Sequence, residues 1–368
     1  AIVHTEEALN IRLQFEDEAP EPVLLSAFNL GIYYNRAGQY QEAVDHYDMV
    51  LRRGPNRKQG VAYFQLGRCY RQLGEYEAAA LAFKEAEKYS PFLENGPAKA
   101  ELARIHGASL LEQEEERRLE QAIKQLEHAE ELAVQYSGLK TVLDIRNDLG
   151  LGLIKLGRYN EAIALLTSNI ADNNRLQISS EFEASGAAHL GLAYRRTGNL
   201  EAAKKQYKRS LALELSIADG YHPDEYVAVD YDNLSTLYLV AQQPDSALHY
   251  ASLALDWHLD DYDPTDRNEL PPLSLLAQGD QLPTLTYLMD KGQAHQALAQ
   301  SGEQEHFEHA LATYRRADEL LDLLRQNQLL ENTRTYWRAD ARQLYELAMD
   351  AAVAAGDPVS AFYFLEKA

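Results

Sequence analysis

Small and aromatic residues recur along the first hundred residues at a constant interval. Five positions of one segment return 36 residues later with the same or a similar side chain. A period of this length, with glycine or alanine at fixed points and aromatic residues between them, predicts pairs of helices stacked as repeats. The glycine in the middle of each period is expected at the turn, where a helix ends most cheaply with positive φ. The matching positions are Gly31, Tyr34, Gly38, Ala43 and Tyr47, then Gly67, Tyr70, Gly74, Ala79 and Phe83.

The turn string itself occurs four times, as GQYQEA (38–43), GEYEAA (74–79), GRYNEA (157–162) and GNLEAA (198–203). Further units are less regular: the sixth has Gln242 in place of the turn glycine, and the third has a long first helix that carries the charged run 112–118. Prolines 55 and 91 close the first two units. The clearest units are predicted at residues 24–57, 60–93, 143–170, 184–217 and 228–258, and residues 259–284 are predicted to form a loop inserted between repeats.

This pattern resembles the tetratricopeptide repeat family. The resemblance implies an all-α fold, a right-handed α-solenoid superhelix of helix-turn-helix repeats that forms a single array over residues 1–368. In such an array each unit buries its core against its neighbours. Gly31 and Ala43 are then expected where the two helices of the first unit cross. The implied function is that of a non-catalytic scaffold that binds a peptide or protein partner in its concave channel.

The repeat register of that family also implies which residues face the channel. Asparagine side chains are useful there because an amide can pair with both groups of a peptide backbone. Four arginines, Arg68, Arg71, Arg195 and Arg196, are expected to anchor an acidic peptide. The predicted partner-binding residues are Asn29, Ile32, Asn35, Arg36, Phe64, Gln65, Arg68, Arg71, Asn147, Asp148, His189, Arg195, Arg196 and Asn233.

Overall charge restricts the kinds of partner. The formal net charge is -22, whereas a nucleic-acid surface needs clustered lysine and arginine, so no nucleic-acid partner is expected. No apolar run approaches the roughly 18 residues that span a bilayer, so no membrane insertion is expected. A soluble, cytoplasmic protein is predicted, with export as the alternative if a signal precedes Ala1.

Residues that could support catalysis or bind a cofactor are few. Cys69 is the only cysteine and lies inside a predicted packing helix, which favours a buried, unreactive thiol. No phosphate-binding loop, serine elbow or zinc-protease motif occurs in the sequence. The sequence therefore predicts a protein that is not an enzyme and needs no cofactor.

Two patterns could in principle bind a metal ion, and neither is complete. His306 and His309 could share one face of a helix, but the sequence offers no third and fourth ligand. The acidic string DDYDPTD (260–266) has the spacing of a calcium loop around Asp263 and Thr265. It has Asp266 where that loop needs glycine, and Pro272 where it needs glutamate. No metal is expected at either place.

The C-terminal residues 316–368 carry a second resemblance. Their Arg-rich helix around 336–345, their GDP turn at 356–358 and their ending AFYFLEKA resemble the helical segment that precedes the caspase-like CHAT protease domain in bacterial proteins. This resemblance implies an alternative function, as the regulatory or substrate-recruiting arm of a larger cysteine peptidase whose catalytic domain lies beyond residue 368. Phe362, Phe364 and Leu365 on the last helix are expected to be exposed and to promote self-association.

Overall fold

The computed structural model describes residues 2–15, 20–53, 58–89, 96–113, 115–222, 224–262, 264, 266–277, 281–327 and 338–368. Within these ranges the secondary structure is entirely helical. The helices are α1 (Ile2–Leu13), α2 (Pro20–Arg36), α3 (Tyr40–Arg52), α4 (Gln59–Gln72), α5 (Tyr76–Lys88), α6 (Gly96–Leu111), α7 (Glu116–Tyr136), α8 (Leu139–Lys155), α9 (Tyr159–Leu176), α10 (Ser180–Arg196), α11 (Leu200–Ala218), α12 (Glu225–Val240), α13 (Pro244–His258), α14 (Leu273–Leu276), α15 (Gln281–Gln300), α16 (His306–Asn327), α17 (Arg338–Ala355) and α18 (Pro358–Lys367).

Successive helices pack as hairpins. Contacting pairs are α2/α3, α4/α5, α6/α7, α10/α11, α12/α13, α15/α16 and α17/α18, and a turn at Gly157 joins α8 to α9. This architecture confirms the prediction of an all-α fold built from helix-turn-helix repeats. The chain divides into two compact units, unit 1 (Ala1–Leu165) and unit 2 (Leu166–Ala368). The single array over 1–368 and the exact repeat boundaries remain predictions.

The repeated turn string adopts one conformation throughout. Its glycines have φ between +73° and +80° at Gly38, Gly74, Gly157 and Gly198. In the first turn, the amide of Gln39 donates to the carbonyl of Tyr34 at 2.9 Å, five residues earlier, which closes a Schellman motif. Gln242 takes the same left-handed conformation at φ 56° in the sixth turn, so the turn forms there without glycine.

In four hairpins, a glycine of the first helix (helix A) packs against an aromatic ring of the second helix (helix B). A Cβ atom on Gly31 would lie 2.6 Å from the Tyr47 ring, and one on Gly67 would lie 2.6 Å from the Phe83 ring. Gly191 and Gly292 meet Tyr207 and Tyr314 in the same way. These four aromatic side chains are fully buried and are among the largest in the core.

The sixth hairpin shows directly where its two helices cross. Serine replaces glycine there, and Ser235 Oγ donates a hydrogen bond of 3.0 Å to the carbonyl of Ala247 on the second helix. Both residues are fully buried. The predicted small-residue positions of helix A and helix B therefore meet in this hairpin, and the glycine of the more regular hairpins leaves space for an aromatic ring.

Two predicted segments differ from expectation or lie partly outside the described residues. The charged run 112–118 was expected inside a long first helix of the third unit, but α6 ends at Leu111 and α7 begins at Glu116. Residues 116–118 of the run form the first turn of α7, and Glu116 lies at the positive N-terminal end of that helix, where negative charge is favoured. Pro55, Pro91, Asp263, Thr265, Gly279 and Tyr336 lie outside the described residues.

The segment between α13 and α15 packs back onto unit 2. It contains the single helical turn α14, and Leu276 of that turn is fully buried. Tyr262 Oη donates to the carbonyl of Glu269 at 2.9 Å, and the fully buried Lys291 Nζ donates to the same carbonyl at 2.5 Å. The buried side chains of Tyr262 and Lys291 therefore fix the segment between α13 and α15 against these two helices. None of the described helices combines the length and the apolar character that crossing a membrane would require.

Candidate functional site

A polar cavity of about 430 Å³ lies in unit 1 among α2, α3 and α4. It brings together five of the predicted partner-binding residues, three from α2 and two from α4. The full lining consists of Ile32, Asn35, Arg36, Tyr40, Tyr47, Gln65, Arg68 and Gln72. No carboxylate is among these lining residues, although the whole chain is strongly acidic.

Two guanidinium groups give this cavity its charge. Arg36 and Arg68 are both exposed, and neither forms an ion pair or side-chain hydrogen bond with the described residues. A guanidinium presents a planar fork of donors that matches a carboxylate. The two side chains are therefore available to an anionic group that enters the cavity.

Two buried polar atoms also lie in the cavity lining. Gln65 Oε1 and Tyr47 Oη are both buried and have no hydrogen-bond partner among the described residues. Burial raises the pKa of Tyr47 above its usual value, so its hydroxyl stays protonated and can donate. A buried polar group without a partner is costly, so a ligand that pairs with either atom would recover that free energy.

Other predicted residues of unit 1 have structural partners. Asn29 is half-buried on α2, and Phe64 packs with its ring centroid 6.0 Å from that of Phe83. Asn147 is 2% exposed on α8. Phe64 and Asn147 therefore contribute to packing in this structure.

Asp148 and Arg71 belong to a cluster of opposite charges around Arg104. Arg104 Nη1 lies 3.2 Å from Asp148 Oδ2 and 3.3 Å from Asp144 Oδ2. Burial raises the pKa of Asp148 to about 6, and the charges of Arg104 and Arg71 oppose that rise. Sequence analysis missed Arg104. The signal that could have found it is Gly107, whose Cβ would lie 2.7 Å from Leu126 and which marks the glycine register of α6. Arg104 precedes Gly107 by three residues, as Phe64 precedes Gly67.

The predicted residues of unit 2 lie among acids. Arg195 is half-buried, and its positive charge lowers the pKa values of Asp232 and Asp290. Burial and the adjacent Asp290 nevertheless raise the pKa of Asp232 well above its ordinary value, so the two carboxyl groups retain a proton that a free aspartate would lose. Asp290 Oδ2 also accepts from Thr236 Oγ1 at 3.1 Å. Arg195 therefore lies close to two carboxyl groups, and its Nε is buried without a hydrogen-bond partner among the described residues.

A further buried acid on α12 lies two residues before Asp232. Asp230 is 2% exposed, and burial raises its pKa to about 7. Asn233, a predicted binding residue, follows Asp230 by three residues on the same helix. His189 is half-buried on α10, and Arg196 is exposed. Unit 2 thus places acids close to its predicted arginine anchors, in contrast to the cavity of unit 1.

Two segments of the chain match known family models. Models of the tetratricopeptide repeat match residues 23–90 and residues 184–216. These segments are tetratricopeptide repeats. The first includes most of α2 and all of α3 to α5, and therefore the whole cavity of unit 1, and the second includes most of α10 and of α11.

Solved structures of repeat proteins share this fold. Apo RapI is 15% identical, with 99% of this chain and 91% of that chain covered and a TM-score of 0.53. A Rap protein complexed with Competence and Sporulation Factor is 12% identical, with 92% of each chain covered and a TM-score of 0.55. A tetratricopeptide repeat protein from Parabacteroides merdae is 14% identical, with 82% of this chain and 97% of that chain covered and a TM-score of 0.53. At these identities the likeness concerns the fold alone.

Proposed function

We propose that this protein is a non-catalytic scaffold that binds an acidic peptide through the cavity of unit 1. The observation that carries the proposal is the pair Arg36 and Arg68, two guanidinium groups in a cavity whose lining has no carboxylate. A peptide carboxylate, from an acidic side chain or a free C-terminus, would form a charge-assisted pair with this fork of donors.

The remaining lining suits a peptide backbone. Asn35, Gln65 and Gln72 supply amide groups that both donate and accept, and Ile32 adds an apolar contact. A volume of about 430 Å³ accommodates one or two residues of an extended peptide rather than a folded surface. The Rap protein of similar fold forms a complex with Competence and Sporulation Factor, so a fold of this kind is compatible with binding a partner.

Among the four arginines expected as anchors, Arg68 is the one that lines the cavity of unit 1. The charge of Arg71 acts on Asp148, and the charge of Arg195 acts on Asp232 and Asp290. The proposal accordingly places the anionic group of the peptide at Arg68 and Arg36.

A binding experiment with defined peptides tests this proposal. The probe is a fluorescein-labelled decapeptide rich in aspartate and glutamate with a free C-terminus, and its counterpart has glutamine and asparagine at the acidic positions and a C-terminal amide. We expect the acidic peptide to bind, and the double variant Arg36→Glu/Arg68→Glu to weaken its binding at least a hundredfold by fluorescence anisotropy, because each substitution turns an attraction into a repulsion.

The matched control is Lys84→Glu/Lys124→Glu, which makes the same charge change at exposed positions on α5 and α7. We expect this control to change the affinity less than threefold, since separated surface charges are screened over about 8 Å at physiological ionic strength. Equal binding of the acidic and neutral peptides, or equal losses in the two double variants, would contradict the proposal.

The remaining functional expectations stay predictions from the sequence. They include the resemblance of residues 316–368 to the segment before a CHAT domain, and self-association through the last helix. Phe362 and Leu365 are each 60% exposed on α18, but the expectation for Phe364 is wrong, because its side chain is fully buried in the core of unit 2. The absence of a nucleic-acid partner and the cytoplasmic location also remain predictions.

A further inference from the structure

His306 connects the core of unit 2 to the turn between α15 and α16. It is the first residue of α16 and is only 5% exposed. Its Nδ1 lies 2.8 Å from Nδ1 of His295, a fully buried residue of α15. Its other ring nitrogen, Nε2, lies 3.5 Å from Glu303 Oε2 and makes no hydrogen bond with the described residues. One side of the ring is therefore fixed, and the other side faces the turn.

Two carboxylates of that turn converge on the free side of the ring. The donor atoms of Glu303, Glu305 and His306 all lie within 4.8 Å of one another. The backbone sets this arrangement, because the amide of His306 donates to the carbonyl of Glu303 at 3.0 Å and the turn closes on itself. Within the described residues no lysine or arginine pairs with either carboxylate. Two negative charges thus lie together beside the imidazole of His306, whose ring centroid lies 5.1 Å from that of His295 and 5.6 Å from that of His309.

The distances fit the geometry of a bound metal ion. Ligand atoms about 2.1 Å from a tetrahedral zinc ion lie about 3.4 Å from one another. His306 Nε2 and Glu303 Oε2 are 3.5 Å apart, close to that separation. Glu305 is exposed, so a change of side-chain rotamer brings its carboxylate to the same distance at little cost.

We propose that His306 Nε2 and the carboxylates of Glu303 and Glu305 bind one divalent transition-metal ion of the Zn²⁺ class. An imidazole nitrogen selects such ions over Ca²⁺ and Mg²⁺, which prefer oxygen ligands alone. Water completes the four-coordinate shell from the exposed side of the turn. The ion ties the turn of residues 301–305 to the first turn of α16.

His295 acts as the buried partner that orients the ligand. A metal-binding histidine usually donates its other ring N–H to a fixed acceptor, which sets the tautomer and the ring plane. When His306 donates from Nδ1 to His295 Nδ1, the lone pair of His306 Nε2 points at Glu303 and Glu305. Sequence analysis found only His306 and His309 and lacked further ligands. The hairpin supplies them from the preceding turn, and His295 from the preceding helix. This inference is independent of the peptide-binding proposal.

Calorimetric titration of the full chain with Zn²⁺, after treatment with a chelator and removal of the chelator, tests the site. We expect one ion per chain, and we expect Glu303→Gln/Glu305→Gln to weaken the affinity at least tenfold. Both carboxylates are exposed, so this variant keeps the fold and its circular dichroism unchanged. The matched control is Glu201→Gln/Glu308→Gln, which removes two exposed charges from the first turns of α11 and α16 and should leave the affinity within threefold.

A second measurement identifies the nitrogen ligand. Bound Co²⁺ should show the intense visible absorption of a four-coordinate ion, and His306→Gln should remove that absorption while the carboxylate pair remains. No Zn²⁺ binding at concentrations up to about 0.1 mM would overturn the proposal. Equal affinity in the Glu303/Glu305 variant and in its control would overturn it as well.

Discussion

Asp230 is a buried acid on α12, 2% exposed, and burial raises its pKa to about 7. A free aspartate loses its proton near pH 4. Between these values the unfolded chain binds fewer protons than the folded chain, so the stability of the folded state falls as the pH rises from about 4 to about 7. Glu214 on α11 adds to the effect, because burial also raises its pKa to about 7.

We expect Asp230→Asn to stabilise the protein near pH 7.5 by on the order of 3 kcal/mol, and to have little effect near pH 4. Thermal unfolding of both proteins at several pH values between 4 and 8 measures the difference. Glu225→Gln, an exposed substitution on the same helix, serves as the control and should give a constant difference across the range. If the difference in stability between Asp230→Asn and the natural chain is equally constant, the buried carboxyl group does not titrate between pH 4 and pH 8.

At the scale of the helical elements, the same contact between a glycine and an aromatic ring packs the two helices together in four hairpins. The Phe83 ring lies where a Cβ atom of Gly67 would be, at 2.6 Å. We expect Gly67→Ala to destabilise the protein by about 1–3 kcal/mol, because the added methyl group overpacks a closed interface. Adding Phe83→Leu to the Gly67→Ala chain should recover part of the lost stability. Urea unfolding of the single and double variants measures this as a favourable coupling energy in a double-mutant cycle.

Gly138 provides the comparison for this cycle. An added Cβ there meets no atom within 4 Å, and its φ of -81° suits any residue. Gly138→Ala should therefore change the stability by less than about 0.5 kcal/mol. The contact between Gly67 and the Phe83 ring would not determine the packing of this hairpin if alanine at Gly67 and at Gly138 reduced the stability equally. The same conclusion would follow if the double-mutant cycle gave no coupling between Gly67 and Phe83.

Sequence periodicity predicted the helices, the turns and the small-residue crossing because each depends on spacing within one repeat. Gln242 shows that the periodicity predicts a turn even where glycine is absent. Its place in the register predicted a turn, and the structure confirms it at φ 56°. Contacts between different helices were harder to predict. His295 and His306 are 11 residues apart and meet only because the hairpin folds back. Arg104 was missed because the third unit has the weakest register, and Asp290 because it reaches Thr236 from another hairpin.

For the whole molecule, the dominant property is a formal net charge of -22. Repulsion among like charges destabilises a compact state, and salt shortens its range from about 30 Å at 0.01 M to about 10 Å at 0.1 M. We expect the thermal midpoint to rise between roughly 10 and 100 mM NaCl, because salt screens this repulsion. The affinity for an acidic peptide should fall over the same range, because that interaction is attractive.

A variant with less charge provides the test of this reasoning. Glu201→Lys/Glu225→Lys exchanges two exposed acids for bases, so its thermal midpoint should depend less on salt than that of the natural chain. A midpoint that falls with added salt in the natural chain would show that attractive ion pairs outweigh the net repulsion.

Cys69 gives unit 1 a built-in probe of its own motions. It is the only cysteine in the sequence, it is fully buried in α4, and burial raises its pKa to about 11. A thiol reagent in water can therefore modify it only while α4 is transiently exposed. Because unit 2 contains no thiol, the rate of thiol modification measures the opening of unit 1 alone. If bound peptide slows the modification of Cys69, the change in rate measures how much the ligand suppresses the opening of the first repeats.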